Sequence, residues 1–504
     1  MRIALTDRGI ANLVVVFVAA TLAAMGGVLA GRGEVTLTIL AAGGAMGVFL
    51  LIKPTLALWF VIFGGLVLAG LTQLYLPQFQ FLRWAFGFLA WGMGVIAIVR
   101  SLLAAPGPRK AKMPAIWWWM FAFAGVVALS SALNFSDTRT LLFGLKGHFQ
   151  VWGLFIAIIL MRWPEEVIDQ LPRALVGIAL IQLPFVLHQY LVLVPARVGI
   201  GGMVVAEDVV SGTLGATTTG GGANAVLSVL LIIAAAILLS KFKRGLISGP
   251  RLCLCLLVLM LPIVLNSNRV ALLYLLLIYF MLFSGEIFKA PLKAMFVAVL
   301  FGAILTTVTW SYVNTTSRSD PTLGWTSVVT QAIEQNTREG HGYGEYQLNR
   351  FTSLTFWVKE HRNAAWDKVL LGHGVAASRE AEGGALSPTT LAQRAYPGVG
   401  IGLTTVSAIL WDTGVVGLAC WLAILGSAYR AAGRLARHYD AIPARAAALH
   451  GFQVAIPILF ISFFHKAFLT FHLPYQVLLL LVLAYVGYWQ MRASADDYSR
   501  APRY

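Results

Sequence analysis

Apolar stretches of about eighteen to twenty residues recur along this chain, each long enough as a helix to cross ~30 Å of hydrocarbon. They fall near 11–31, 36–52, 54–71, 81–99, 115–133, 147–161, 174–194, 223–240, 252–266, 270–284, 294–312, 401–427, 447–468 and 473–491. Polar or basic connections separate them. No stretch alternates with the two-residue period of a barrel strand, and backbone amides in hydrocarbon must be satisfied within the element. The expected fold is therefore an all-α polytopic membrane protein with about fourteen transmembrane helices. The pattern breaks at length only once, over 313–400, which is expected as one large extracytoplasmic loop carrying short helices. The chain divides accordingly into transmembrane helices over 1–312, the loop over 313–400, and further transmembrane helices with a cytoplasmic tail over 401–504.

Within that loop, Glu345 to Lys368 has a helical period, with Leu348, Phe351, Leu354 and Val358 forming one apolar stripe. Arg350, Lys359 and Arg362 fall off the stripe, so such a helix is expected on a membrane surface or over a cavity. Ordered loops of this length usually carry function.

Composition agrees: 59% of the 504 residues are hydrophobic, 12% are charged, and mean hydropathy is +0.79. Such a chain lies far from the soluble range. The net charge of +16 reads as a topology signal rather than an affinity for nucleic acid. Placing the N-terminus in the cytoplasm puts Arg100, Arg109, Lys110 and Lys112, then Lys241, Lys243, Arg244 and Arg251, then Arg430, Arg434, Arg437 and Arg445 on one side. Cytoplasmic connections are the ones enriched in Lys and Arg. That side then holds +14 of the +16, and both termini are cytoplasmic with the large loop outside. The location expected is a bacterial inner membrane, and the first apolar run, preceded by Arg2 and Arg8, reads as a retained signal anchor. Cys253, Cys255 and Cys420 all lie in apolar runs, where buried packing is expected. No nucleotide loop, dinucleotide fingerprint or metal-ligand spacing is present, so no cofactor and no metal are expected.

Candidate chemistry gathers at the outer helix ends. Gly220, Gly221 and Gly222 precede Asn224 at the start of a helix, either as a ligand contact in a re-entrant mouth or as a plain capped helix start. Arg269 follows Asn266, Ser267 and Asn268; its guanidinium either forks to a phosphate or snorkels to the interface. Arg139 and Lys146 admit the same pair of readings, and His465, Lys466 and His472 cluster at another outer end. In the loop, His373 stands between Gly372 and Gly374 at the apex of a tight turn, either facing a substrate or simply solvated.

Taken in order, these segments resemble a family. A Gly/Thr-rich outer stretch, Gly212 to Gly215, leads to Asn224; Ser267-Asn268-Arg269 opens a helix; a large external loop holds Asn349-Arg350, Trp366 and Leu371 to Gly374. Trp411-Asp412-Thr413-Gly414 to Leu418 then enters a helix. Over roughly 210–425 the chain resembles the O-antigen ligase and Wzy-type polysaccharide polymerase superfamily. That resemblance implies a metal-independent glycosyltransferase whose donor is a glycan on polyprenyl diphosphate, acting at the periplasmic face. It implies that Arg269 and Arg350 face the diphosphate and that Asn224 belongs to the substrate site. Arg338 and His341 are expected beside the substrate, with His373 and Glu345 as catalytic candidates and Asp412 behind them. Many members carry a His-Asn pair where this chain has Leu403 and Thr404, which leaves the base unassigned and weighs against a ligase.

The expected function is a polymerase joining lipid-linked repeat units of exopolysaccharide or O-antigen. The alternatives are a ligase moving the glycan to a lipid acceptor, and a transporter or flippase without bond chemistry. The expected partners are the lipid-linked oligosaccharide donor, a glycan acceptor and membrane lipid, with flippase and chain-length-regulator proteins as candidates and no nucleic acid.

Overall fold

The computed structural model describes residues 50–103, 112–197, 206–215, 222–266, 268, 270–319, 348–380 and 389–500, with scattered positions between 20 and 47 and between 330 and 337. Helix is the only regular structure among the described residues. The first half holds α1 (Pro54–Tyr75), α2 (Pro77–Leu103), α3 (Ala115–Leu133), α4 (Thr138–Phe149), α5 (Trp152–Leu160) and α6 (Glu165–Arg197). Next come α7 (Ala223–Lys243), α8 (Gly249–Leu265), α9 (Val270–Phe283) and α10 (Pro291–Ser319). The polar interruption supplies the short helices α11 (Thr352–His361) and α12 (Trp366–Leu371). Last are α13 (Thr405–His438), α14 (Pro443–Ser462) and α15 (Leu473–Arg500).

Among the described residues, eight helices are long and apolar enough to cross a membrane, or nine if α4 and α5, bent by 50° at their break, form one span. α8, α9 and the apolar part of α10, Pro291–Thr307, are shorter. The runs expected over 11–31 and 36–52, with the signal anchor, lie largely outside the described residues.

Several helices depart from the apolar runs for visible reasons. The run over 174–194 is the apolar part of α6, which begins earlier because Glu165 and Glu166 suit its positive end. α13 continues past the run over 401–427 because Arg430, Arg434 and Arg437 are good helix formers that need no lipid. The single run over 147–161 becomes the bent pair α4 and α5, with Gln150 and Val151 at the break. Cys420 is buried as expected, whereas Cys253 and Cys255 are only half-buried on α8.

α7 is buried on every side from Ala223 to Ser240, as an all-round apolar helix must be. α15 shares the core with it, its Tyr475, Tyr485, Tyr488 and Trp489 fully buried. Polar contacts sort the helix ends into two groups. At one end Arg244 pairs with Asp440 at 2.6 Å, Lys243 with Glu286 at 3.1 Å, and Arg445 with Glu165 and Asp169 at 2.7 and 2.8 Å. These are connections the charge pattern assigns to one side. The contacts at the other end build the candidate site.

α11 differs from its expected orientation. It stops at His361, and its buried residues are Thr352, Ser353, Trp357 and His361, while Phe351 and Val358 of the expected stripe are 54% and 61% exposed. The aromatic surface of Trp411 on α13 explains this: the His361 ring packs edge-on to it at 4.8 Å. Leu348 and Leu354 of the stripe still pack against the core, so the inner face combines half of the stripe with Trp357 and His361.

Candidate functional site

Among the described residues between α6 and α7, Ser211–Thr213 form a non-helical stretch held by side chains of the neighbouring helices. Ser211, Gly212 and Thr213 are threaded between α1 and α6, where water cannot serve their amides. Gln189 accepts from the N–H groups of Ser211 and Gly212 at 3.0 and 2.7 Å and donates to the Gly212 carbonyl at 2.7 Å. Gln182 accepts from the N–H of Thr213 at 2.8 Å, and the Thr213 hydroxyl donates to the Leu66 carbonyl at 2.9 Å. Both receiving helices loosen here into π-helical turns, Gly64–Leu68 and Gln189–Leu193, a distortion often found at functional sites. This anchoring fixes the preceding turn, Ala206–Val209, and with it Asp208.

Asp208 is the centre of the cluster. Its Oδ1 accepts from Asn224 Nδ2 at 3.1 Å. Arg197, Lys466 and Arg350 all act electrostatically on its carboxylate. Burial pushes the Asp208 carboxyl up from its ordinary range, opposed by those three cations and by the Asn224 hydrogen bond. Burial likewise lowers the Lys466 ammonium, opposed by Asp208 and reinforced by Arg350. Burial, with Arg350 and Lys466, holds the His465 imidazole well below its usual value, so it is neutral.

Each cation is positioned by a different element. Arg197 ends α6 and donates from Nη1 to the Ala206 carbonyl at 3.2 Å. Arg350 leads into α11; its Nε donates to the His465 carbonyl at 2.9 Å, and its guanidinium also bonds the Asn336 side chain. Lys466 sits in the turn after α14, where Thr405 donates to its carbonyl at 2.9 Å. Its side chain lies over Gly222, the residue before α7, whose φ of +71° favours glycine. A Cβ there would come within 3.0 Å of the Lys466 Cδ and 3.4 Å of its Nζ. Lys466 therefore lies against the positive end of a long buried helix, while Arg350 and Arg197 act with it on Asp208, which Asn224 ties to that helix. Such an end attracts anions.

Asn224 proves to be a junction. It does not cap α7: the capping position is Gly222, no side chain caps the helix, and the Asn224 Oδ1 meets only the next N–H, that of Ala225, at 2.9 Å. Its Nδ2 reaches Asp208 and, at 3.4 Å, the Asn266 carbonyl. Asn266 returns a bond to the Asn224 carbonyl at 3.1 Å and accepts from the Asn268 N–H at 3.0 Å. Two groups in this neighbourhood are buried with unmatched donors among the described residues: Nε and Nη2 of Arg197, and Nδ2 of Asn268. Arg197 is 5% exposed and Asn268 6%. Unmatched buried donors are costly unless something accepts from them.

Of the residues expected at a site, the fold thus brings Asn224 and Arg350 together around Asp208. Arg269, Arg338, His341 and Glu345 lie outside the described residues. Leu403, where the resembled family carries histidine, neighbours the cluster: its carbonyl accepts from the Ala467 N–H at 3.0 Å, and Thr404 caps α13.

His373 occupies a second cluster. Gly372 and Gly374 on either side take φ of +73° and +93°, so the tight turn forms as expected. The Nδ1–H of His361 donates to the Trp357 carbonyl at 2.9 Å. Its Nε2 therefore accepts from the Nε2–H of His373 at 2.9 Å, leaving the His373 lone pair on Nδ1. Burial, then His361 and Lys368, lower His373 to about 4, against the pull of Asp412 and Asp367. The charges that act on Asp208 are different ones, Arg197, Lys466 and Arg350. Asp412 is committed to structure: its carboxylate accepts from the N–H groups of Ala376 and Ser378 at 3.2 and 2.8 Å and meets His148 Nε2 at 3.0 Å.

Asp208 and Arg197 carry the cluster, yet sequence reasoning did not single them out. The signal was an acidic pair, Glu207-Asp208, inside a glycine-rich stretch between two apolar runs. An apolar cleft of about 540 Å³ lies between α1 and α6, walled by Leu68, Leu71, Leu76 and Phe185 and bounded by Tyr75 and His188. The Tyr75 hydroxyl and His188 Nδ1 are hydrogen-bonded at 3.0 Å.

No protein-family model matches the chain, and no curated protein sequence matches it. The class that the fold and site define is an all-helical chain, with several helices long and apolar enough to cross a membrane and a cationic cluster at one end of the bundle.

Proposed function

We propose that this protein is a membrane glycosyltransferase that polymerises oligosaccharide repeat units carried on polyprenyl diphosphate, using the Arg197, Arg350 and Lys466 cluster to hold the diphosphate. The observation that carries the reading is that those three cations, from three distant parts of the chain, all act on Asp208, which Asn224 ties to the start of α7 beside Lys466. A diphosphate offers acceptors for the unmatched donors of Arg197 and Asn268. The apolar cleft beside α6, the helix that ends in Arg197, suits the polyprenyl tail.

The full arrangement proposed is about fourteen spans in a bacterial inner membrane, both termini cytoplasmic, with the cluster and the 313–400 loop on the periplasmic side. The division of polar contacts between two bundle ends supports this alternation, since the strongly basic connections meet at the end opposite the cluster. The transfer reaction places the sugar's anomeric carbon beside an acceptor hydroxyl. Charge accumulates on the departing diphosphate, so fixed cations stabilise the transition state more than the bound donor. The partners proposed are the lipid-linked donor, a glycan acceptor, and flippase and chain-length-regulating proteins in the same membrane.

Deleting the gene and analysing lipid-linked and surface glycans tests the reading. Single repeat units stranded on the lipid are expected. Full-length polymer retained on the lipid would indicate a ligase, and unaltered glycan with a lost solute flux a transporter.

A further inference from the structure

The donor site described above contains one group that a diphosphate site does not need. An anion at the heart of a cationic pocket competes with the substrate for the same cations. Asp208 is nevertheless held in place deliberately, by the Asn224 hydrogen bond at 3.1 Å and by the anchored segment Ser211–Thr213 that follows it.

We infer that Asp208 is the general base of the transfer reaction, accepting the proton of the acceptor sugar hydroxyl, and that donor binding switches its basicity on. The inference rests on the proposed donor site. In the free protein the charges acting on Asp208 are Arg197 on α6, Lys466 after α14 and Arg350 before α11, with Glu207 beside it in sequence and neutral His465 acted on by the last two. When the diphosphate enters, the cations are shared with it, and its negative charge adds to the field at Asp208. Both effects favour protonation of the carboxylate. A carboxylate already raised by burial then becomes a competent base beside the reacting carbon.

The step balances without a co-reactant. The acceptor oxygen forms a bond to the anomeric carbon while the bond from that carbon to the diphosphate oxygen breaks. The bonding pair leaves on the diphosphate, held by the three cations, and the hydroxyl proton passes to Asp208. Asp208 later returns it to water.

His373 is the competing base. Its imidazole is half-buried against His361 and Trp411, and the groups that act on it, His361, Lys368, Asp412 and Asp367, differ from those that act on Asp208. A base must lie within hydrogen-bond reach of the proton it takes, or one water away. Asp208 is the carboxylate on which Arg350 and Lys466, the cations proposed to hold the donor, both act.

The test uses purified full-length protein in lipid nanodiscs with polyprenyl-diphosphate oligosaccharide as donor. D208N keeps an oxygen to accept from Asn224 while removing the base, so donor Kd is expected to stay within about threefold of wild type or tighten. Its kcat should fall by about 10²-fold or more, in the range of a lost general base, and D208E should recover part of it. In wild type, the acid limb of kcat should lie at higher pH than the acid limb of kcat/KM, because the first reports the donor complex and the second the free protein. A merely electrostatic counter-ion would not move the two limbs apart. Near-normal kcat in D208N, or coincident limbs in wild type, overturns the assignment of Asp208. Unchanged donor binding in R350A and K466A would instead overturn the donor site itself.

Discussion

The side-chain amide of Asn224 donates to the carboxylate of Asp208 across 3.1 Å, tying the first turn of α7 to the anchored segment that follows α6. Through this contact the glycine-rich stretch, the helix start and three distant cations become one site. A net positive pocket at a helix N-terminus is poorly solvated and poorly balanced until an anion arrives, which is the physical core of the proposed function.

The cations are expected to act on turnover. Arg350→Ala and Lys466→Ala should each lower kcat/KM for lipid-linked donor by roughly 10²-fold or more, the scale of a lost transition-state charge contact. Arg350→Lys should recover less than half of the loss on a logarithmic scale, because an ammonium cannot reproduce the planar fork. Steady-state assays of the three variants at matched expression check this.

Asp412 is expected to matter for stability. Asp412→Ala strands the buried N–H groups of Ala376 and Ser378 and removes the partner of His148. The cost should be about 3 kcal/mol or more. Thermal unfolding in detergent measures it, and hydrogen exchange should rise first over 374–378.

Acid should loosen the His361–His373 pair. His373 is lowered in the folded protein to about 4 from an ordinary 6.5, so between those values the unfolded chain binds more protons. Its contribution to stability is therefore complete above about pH 6.5 and lost as pH falls towards 4. His361 is lowered as well, chiefly by burial, and adds in the same direction. Limited proteolysis of the 348–380 region across that range should show rising cleavage in wild type, and a flatter profile in H373Q.

Gly414 breaks α13 at φ +66° and ψ −166°, a backbone region open essentially to glycine alone. A Cβ there would come within 2.3 Å of the Leu370 carbonyl oxygen, because the turn carrying His373 crosses the helix backbone at this point. Gly414→Ala should cost roughly 2 kcal/mol or more. The melting temperature of the variant checks it.

How much of this was legible in the sequence depended on distance along the chain. The apolar runs over 54–71, 223–240 and 473–491 became α1, α7 and α15, because helix formation in hydrocarbon depends on local length and composition alone. Asn224 and Arg350 stood out by type and position. The meeting of Arg197, Asp208, Arg350 and Lys466 did not, because hydropathy orders helices along the chain and leaves open which ends lie side by side. The bend between α4 and α5 was hidden for a similar reason: hydropathy gives 147–161 as one run, while in the fold His148 is spent on Asp412 and the helix breaks at Gln150 and Val151. The inner face of α11 was legible only in part: Leu348 and Leu354 of the stripe pack on the core, while periodicity gives no sign of a histidine pair packed on tryptophan.

The central claim is that the cationic cluster holds a lipid diphosphate while its sugar is passed on. Purified protein in nanodiscs, given polyprenyl-diphosphate oligosaccharide and nothing else, tests it most directly. The account predicts release of free polyprenyl diphosphate in step with the appearance of longer lipid-linked glycan, and loss of both in the R350A/K466A double variant. Intact donor after prolonged incubation, or equal product from the double variant, would contradict it.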